Sequence, residues 1–194
     1  MRKLFVVASL AAVSIAAPAV AQDQAPSFTG IRVEGIAGWD RPQVPNDHGN
    51  GFLYGVGAGY DFQAGRLVLG VEGEASGSTA KRCVASVNAV GDQLCVKTGR
   101  DLYVGGRIGT LVAPTTLLYA KAGYTNARIN TDYTGVAGGL ASFSAHQNHD
   151  GYRLGAGIEQ SLGGNAYVKA EYRYSNYDQN ISRHQVVAGF GFRF

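Results

Sequence analysis

Along residues 51–62 the side chains alternate without a break. Phe52, Tyr54, Val56, Ala58, Tyr60 and Phe62 share one side, and Leu53, Gly55, Gly57, Gly59 and Asp61 share the other. A period of two is the mark of a strand with unlike faces. The pattern recurs and predicts strands at about 28–39, 51–62, 67–76, 100–111, 117–128, 150–162, 166–177 and 185–194. The last of them sets Val186, Ala188, Phe190, Phe192 and Phe194 against Gln185, Val187, Gly189, Gly191 and Arg193. Longer polar loops at 40–50, 77–98, 129–149 and 178–183 alternate with tight turns at 63–66, 112–116 and 163–165. These elements predict an all-β fold, an eight-stranded antiparallel up-and-down transmembrane β-barrel. Its turns would be short on the periplasmic side and its loops longer on the extracellular side.

Alternation alone does not say which face is inside. A soluble eight-stranded barrel would turn its apolar face inward. Three features favour the inverse. The charge-bearing face is crowded with glycine, including Gly57, Gly59, Gly70, Gly105, Gly155 and Gly189. Glycine weakens a strand, so a solvated face has no use for it, whereas a narrow lumen does. Charges on that face nearly balance: Arg32, Arg107, Lys121, Arg153, Lys169, Arg173 and Arg193 meet Glu34, Asp61, Glu72, Glu74, Glu159 and Glu171. Buried ions need partners, so these residues are expected to form a charge network that plugs the lumen. Finally, aromatics sit at the ends of the apolar face. Trp39, Phe52, Tyr54, Tyr152, Tyr172 and Tyr174 fall toward the long loops, and Tyr60, Phe62, Phe192 and Phe194 toward the short turns. Two such girdles belong at the two bilayer interfaces.

The first residues read differently. Arg2 and Lys3 precede an apolar run from Leu4 to Ala17, followed by Pro18 and Ala19-Val20-Ala21. A basic start, an apolar middle and a small-residue cleavage site describe a secretory signal peptide over residues 1–21. Residues 22–27 would be a short periplasmic lead, and 28–194 the barrel. Without Arg2 and Lys3, the 17 basic residues fall to 15 against 14 acidic ones. That near-neutrality gives no nucleic-acid footprint.

The pieces Gly55-Val56-Gly57-Ala58-Gly59-Tyr60-Asp61-Phe62, Gly70-Val71-Glu72-Gly73-Glu74, Arg107-Ile108-Gly109, Leu118-Tyr119-Ala120-Lys121-Ala122-Gly123, Gly155-Ala156-Gly157-Ile158-Glu159 and Glu171-Tyr172-Arg173-Tyr174 occur in this order. With them the chain resembles the small outer-membrane β-barrels of the OmpA-like and opacity-porin type from Gram-negative bacteria. The resemblance implies a place in the outer membrane among its lipids, lipopolysaccharide included. It also implies that Phe190, Phe192 and Phe194 resemble the signal read by the outer-membrane assembly machinery. It stops with the barrel, so no peptidoglycan-binding domain is expected. Such barrels include structural proteins, narrow pores, adhesins and haem binders.

Cys83 and Cys95 are the only cysteines. An even count in an exported protein suggests a disulfide in the second long loop. His48, His146, His149 and His184 all map to long-loop ends; they read as surface metal or haem ligands, or as solvated loop residues. A hydrolase needs a nucleophile, base and orienting acid in reach; Ser142, Ser144 and His146 lie close together, but in a loop rather than on the lipid-facing wall, so no catalysis and no cofactor is expected. Three functional readings follow. The first is a plugged barrel that displays loops to a host or surface ligand. The second is a narrow porin for ions or small solutes. The third is a soluble periplasmic binding barrel.

Overall fold

A computed structural model describes residues 27–44, 47–136, 139–178 and 181–194, apart from the side chains of Val44, Asp47 and His48. The expected signal peptide, and all of the lead except Ser27, lie outside the described residues.

The strands are β1 (Gly30–Val44), β2 (Asp47–His48), β3 (Gly51–Ala64), β4 (Leu67–Ser78), β5 (Lys81–Ala85), β6 (Gln93–Ala113), β7 (Thr116–Thr134), β8 (Phe143–Gly163), β9 (Ala166–Tyr177) and β10 (Ile181–Arg193). Eight of them are staves. Each pairs antiparallel with its neighbour in the order β1-β3-β4-β6-β7-β8-β9-β10, and β10 pairs back onto β1. Closure removes the unpaired edges that a bilayer would leave unsatisfied. At the seam Val33 lies opposite Phe192 and Trp39 opposite Val186. Ile31 and Phe194 exchange backbone hydrogen bonds there, at 3.1 and 2.8 Å.

The apolar face points outward. Val56 and Val71 are more than 60% exposed on the protein alone, whereas Arg32, Asp61 and Arg173 are fully buried. A soluble barrel would show the reverse, so the soluble reading is discarded. Among the described residues no helix is long and apolar enough to cross a membrane; the strands do the crossing. Trp39, Phe52, Tyr54, Tyr152 and Tyr172 lie outward on the long-loop side, and Tyr124 joins them.

All four expected long loops are shorter in the structure, and β10 already begins at Ile181 within 178–183. β7 runs to Thr134 and β8 starts at Phe143, so most of 129–149 is sheet rather than loop. Within 77–98, β5 pairs with the start of β6. Within 40–50, β1 runs on to Val44 and pairs with β2. These extensions lie beyond the upper aromatic belt, where no lipid selects apolar side chains for the outer face, so the alternation of apolar and polar residues that reveals a membrane strand fades there.

Apolar side chains gather inside the barrel at its short-turn end. Phe28, Val68, Leu117 and Tyr119 form one buried cluster. The Phe28 backbone N–H is tied to the Gln63 side-chain oxygen at 2.7 Å.

Candidate functional site

The inward positions of the staves carry one continuous ionic network. At its lower level Asp61 on β3 gathers three guanidinium groups. Arg107 donates through Nε at 2.8 Å and through Nη2, Arg32 Nε lies 3.1 Å away, and Arg193 Nη2 lies 3.0 Å away. Glu159 on β8 bridges Arg107 at 2.9 Å and Arg193 at 2.7 Å. One level up, Glu72 accepts from Arg32 and, at 2.7 Å, from Lys121. Lys121 also donates to Glu74 at 2.7 Å and lies 2.9 Å from Glu171. Lys169 joins Glu34 at 2.5 Å and Glu171 at 3.5 Å. Arg173 reaches Glu74 at 2.7 Å and also pairs with Glu171. Arg153 carries the network upward, 3.7 Å from Glu74 and 2.7 Å from Asp101.

Three members of this network escaped the strand pattern: Asp40, Asp101 and Arg183. Arg183 clamps Asp40 through Nε at 3.1 Å and Nη2 at 2.6 Å, and donates to Asp101 at 2.7 Å. Asp101 further accepts from Thr125 and Tyr177, each at 2.7 Å. With these three the buried lumen holds eight cations and eight carboxylates. Asp40 and Arg183 were assigned to loops because the sequence turns polar there. The parity that puts Glu34 and Arg193 inside, carried a few residues further, would have found both.

Glycine makes the crowding possible. A Cβ at Gly70 would fall 2.0 Å from the Asp61 carboxylate, and one at Gly189 would fall 2.9 Å from the Lys169 chain. Tyrosines fill the remaining space and face the cations: Lys121 stands 4.8 Å from the Tyr103 ring centre and Arg107 5.1 Å from that of Tyr119.

Above the bilayer, Cys83 and Cys95 face each other across β5 and β6 and form a disulfide. At the hairpin tip the Asp92 carboxylate accepts the backbone N–H groups of Val87, Asn88 and Ala89, and the Tyr133 hydroxyl at 2.8 Å. Desolvation pushes the Asp92 carboxyl up, but these donors outweigh it and hold the group below its ordinary range. Reducing the disulfide is expected to loosen the hairpin by up to about 3 kcal/mol. Protease treatment of intact cells should then cut within 81–97 faster, while the folded barrel keeps its heat-modifiable mobility on gels. Unchanged cleavage would mean that Asp92 and the sheet already hold the hairpin.

The three histidines whose side chains are described do not converge. His149 is buried on the inner side of β8, His146 is exposed, and His184 lies on the outer side of β10, with Nδ1 2.6 Å from the Tyr172 hydroxyl. The wall of the barrel separates His149 from His184, because they fall on opposite parities of their strands. The side chain of His48 lies outside the described residues. No group of three or more metal-ligating side chains occurs among the described residues. The Ser144 hydroxyl donates to Asp132 at 2.6 Å rather than to His146. Phe190, Phe192 and Phe194 stand in an outward row on β10, with the first two rings packed edge to face.

Comparison with known proteins extends this description. The family model described as "Outer membrane protein beta-barrel domain" matches residues 5–194. The 25 kDa outer-membrane immunogenic protein of Brucella ovis is 31% identical over 140 residues, covering 72% of this chain and 62% of that protein. The 22 kDa outer membrane protein of Rhizobium leguminosarum bv. viciae is 28% identical over 154 residues, covering 78% and 65%. The chain therefore spans less than two thirds of the length of these relatives. Among solved structures, Neisserial surface protein A superimposes with a TM-score of 0.60 at 17% identity, over 86% of this chain and 98% of its own. Ail of Yersinia pestis, solved in complex with the heparin analogue sucrose octasulfate, gives 0.57 at 17%, over 86% and 100%. At that identity the likeness is one of fold.

Proposed function

This chain belongs to the outer membrane protein β-barrel domain family and resides in the outer membrane, and on that premise we propose that it is a plugged barrel whose work is done by the sheet it raises above the bilayer. One observation carries this reading. β6, β7 and β8 run 21, 19 and 21 residues, about twice the 9–11 that a tilted strand needs to cross. Half of each is therefore given to a projecting structure, which the disulfide and the Asp92 cap then stiffen.

A rigid projection suits recognition, because less order is lost on binding. Relatives named as immunogenic proteins, and a fold neighbour that holds a sulfated heparin analogue, support a host or surface ligand for the loops. Outward of the upper aromatic ring stand Arg41, Arg100 and Arg128. They suit the phosphate layer of lipopolysaccharide as a lateral partner. The lumen charges act as a structural plug in this reading, and no residue of the barrel acts as a catalyst.

Planar-bilayer recording tests the reading. The protein should leave the membrane silent or nearly so. Steady channels whose size changes with Arg107→Gln or Glu72→Gln would replace it with the narrow porin. In parallel, shortening residues 81–97 and 130–147 to tight turns should abolish binding of cells carrying the protein to an epithelial layer. Arg107→Gln, which changes no residue of the projection, should not, in cells carrying equal amounts of folded barrel. Binding that survives the shortening removes the display role.

A further inference from the structure

The sheet raised above the bilayer has two open edges. β8 runs 21 residues and β9 only 12. The ladder between them ends at Gly151 and Tyr177, so among the described residues 143–150 of β8 pair with β7 alone. On the other side β5 pairs with β6 alone. In an antiparallel strand successive residues aim their N–H and C=O groups at opposite neighbours. Alternate residues of each edge therefore turn both groups to water.

The two edges are built differently. β5 has five residues and opens with Lys81 and Arg82. Short length and basic side chains discourage the addition of a further strand. β8 takes no such precaution. Residues 143–149 contain no Lys, Arg, Asp, Glu or Pro, and their register against β7 has no bulge. Nor is this edge a frayed end. The Tyr133 and Phe143 rings stack at 5.3 Å, Ser144 donates to Asp132 at 2.6 Å, and Arg128 donates to Asn148 at 3.2 Å. All three ties run to β7. They fix β8 from one side and leave the other side clear, so little order is left to lose when a partner arrives.

A strand added there would continue the line of β9. It must be an extended backbone that can donate N–H groups, so proline is barred from its paired positions. Parity sets its side chains. Phe143, Ala145 and Gln147 share the side of buried His149, toward the axis, and Ser144, His146 and Asn148 share the outer side. A segment that alternates apolar and polar residues matches both sides. A second copy in the same membrane does not fit. A two-fold axis along the bilayer normal would bring the two β8 edges together parallel. A parallel ladder sets a residue that points at its neighbour opposite one that points away. A two-fold sets like opposite like, so it cannot form that ladder.

We propose that the free edge of β8, residues 143–149, captures an extended segment of a partner protein as an added strand. This rests on the display reading and specifies how the projection binds.

The test uses the full barrel in lipid nanodiscs, with amide hydrogen exchange as the readout. The probe is a peptide that matches 143–149 in length, in which valine and threonine alternate, with a lysine tag beyond each end. Saturable protection is expected at alternate residues of 143–149 and none along β5. Methylating one alternate set of the peptide nitrogens should abolish the protection, and methylating the other set should leave it. Ala145→Lys, an inward charge of the kind that guards natural edges, should also abolish it, while the amides bonded to β7 exchange as in the parent. Protection that is absent, that spreads to both edges, or that ignores which set is methylated would overturn the proposal. So would protection that grows with barrel concentration in the absence of peptide, which would give the edge to a second copy. Failure here, with cell binding still lost on shortening the projection, would remove the edge and leave the display reading standing.

Discussion

Asp61→Asn is expected to destabilise the folded barrel by about 3–5 kcal/mol, the range for removing one partner of a buried ion pair. The substitution keeps the shape of the side chain and removes its charge. Arg32, Arg107 and Arg193 all converge on that carboxylate, and all three are buried. They would be left to share Glu159, Glu72 and Glu34, in a lumen where cations then outnumber carboxylates. The effect should show as a lowered urea midpoint for the barrel in lipid vesicles. Arg193→Gln should cost less in the Asp61→Asn background than in the parent, because it restores the balance; that difference is the coupling between the two sites. Lys97→Gln supplies the contrast. Its bridge to Asp132 joins side chains that are 45% and 36% exposed, and exposed pairs contribute about 1 kcal/mol or less. If Asp61→Asn costs no more than Lys97→Gln, the lumen charges are not an interdependent network.

Deleting Phe194 is expected to reduce the amount of folded barrel in cells several-fold. Two features of β10 motivate this. Phe194 exchanges both of its backbone hydrogen bonds with Ile31 at the closing seam. Its ring continues the outward row of Phe190 and Phe192, the row proposed as the mark for the assembly machinery. Phe194→Ala separates the two roles, since it keeps the seam bonds and removes the ring. If both variants fall alike, the ring is what matters and the assembly mark is supported. A fall confined to the deletion assigns the effect to closure, and normal surface levels in both would remove the residue from assembly altogether.

How much of this was legible before folding depended on where each residue sits relative to the bilayer. Between the two aromatic belts lipid covers one face and the packed lumen the other, so every side chain is forced to choose and the choice shows as alternation. Arg32, Glu72, Lys121 and Glu171 could be assigned to the interior for that reason. Beyond the belts the outer face meets water instead of lipid, and the extensions of β7 and β8 carry polar residues on both faces. They therefore read as loop. Asp40, Asp101 and Arg183 stand near that border, where the pattern fades although the parity continues.

The chain by itself determined the eight staves, their tight turns, the outward and inward sets and the half-cystine pair. Only the closed sheet decided which carboxylate meets which guanidinium. Asp61 and Arg193 are 132 residues apart, and the stagger of the strands around the ring, not their order, sets them at one level. The closed sheet also decided that β6 carries one residue more than its partner near Thr98. Alternation is a local property of one strand. An extra residue is visible only against the strand beside it, and here it turns Leu94 and Val96 inward and Lys97 outward.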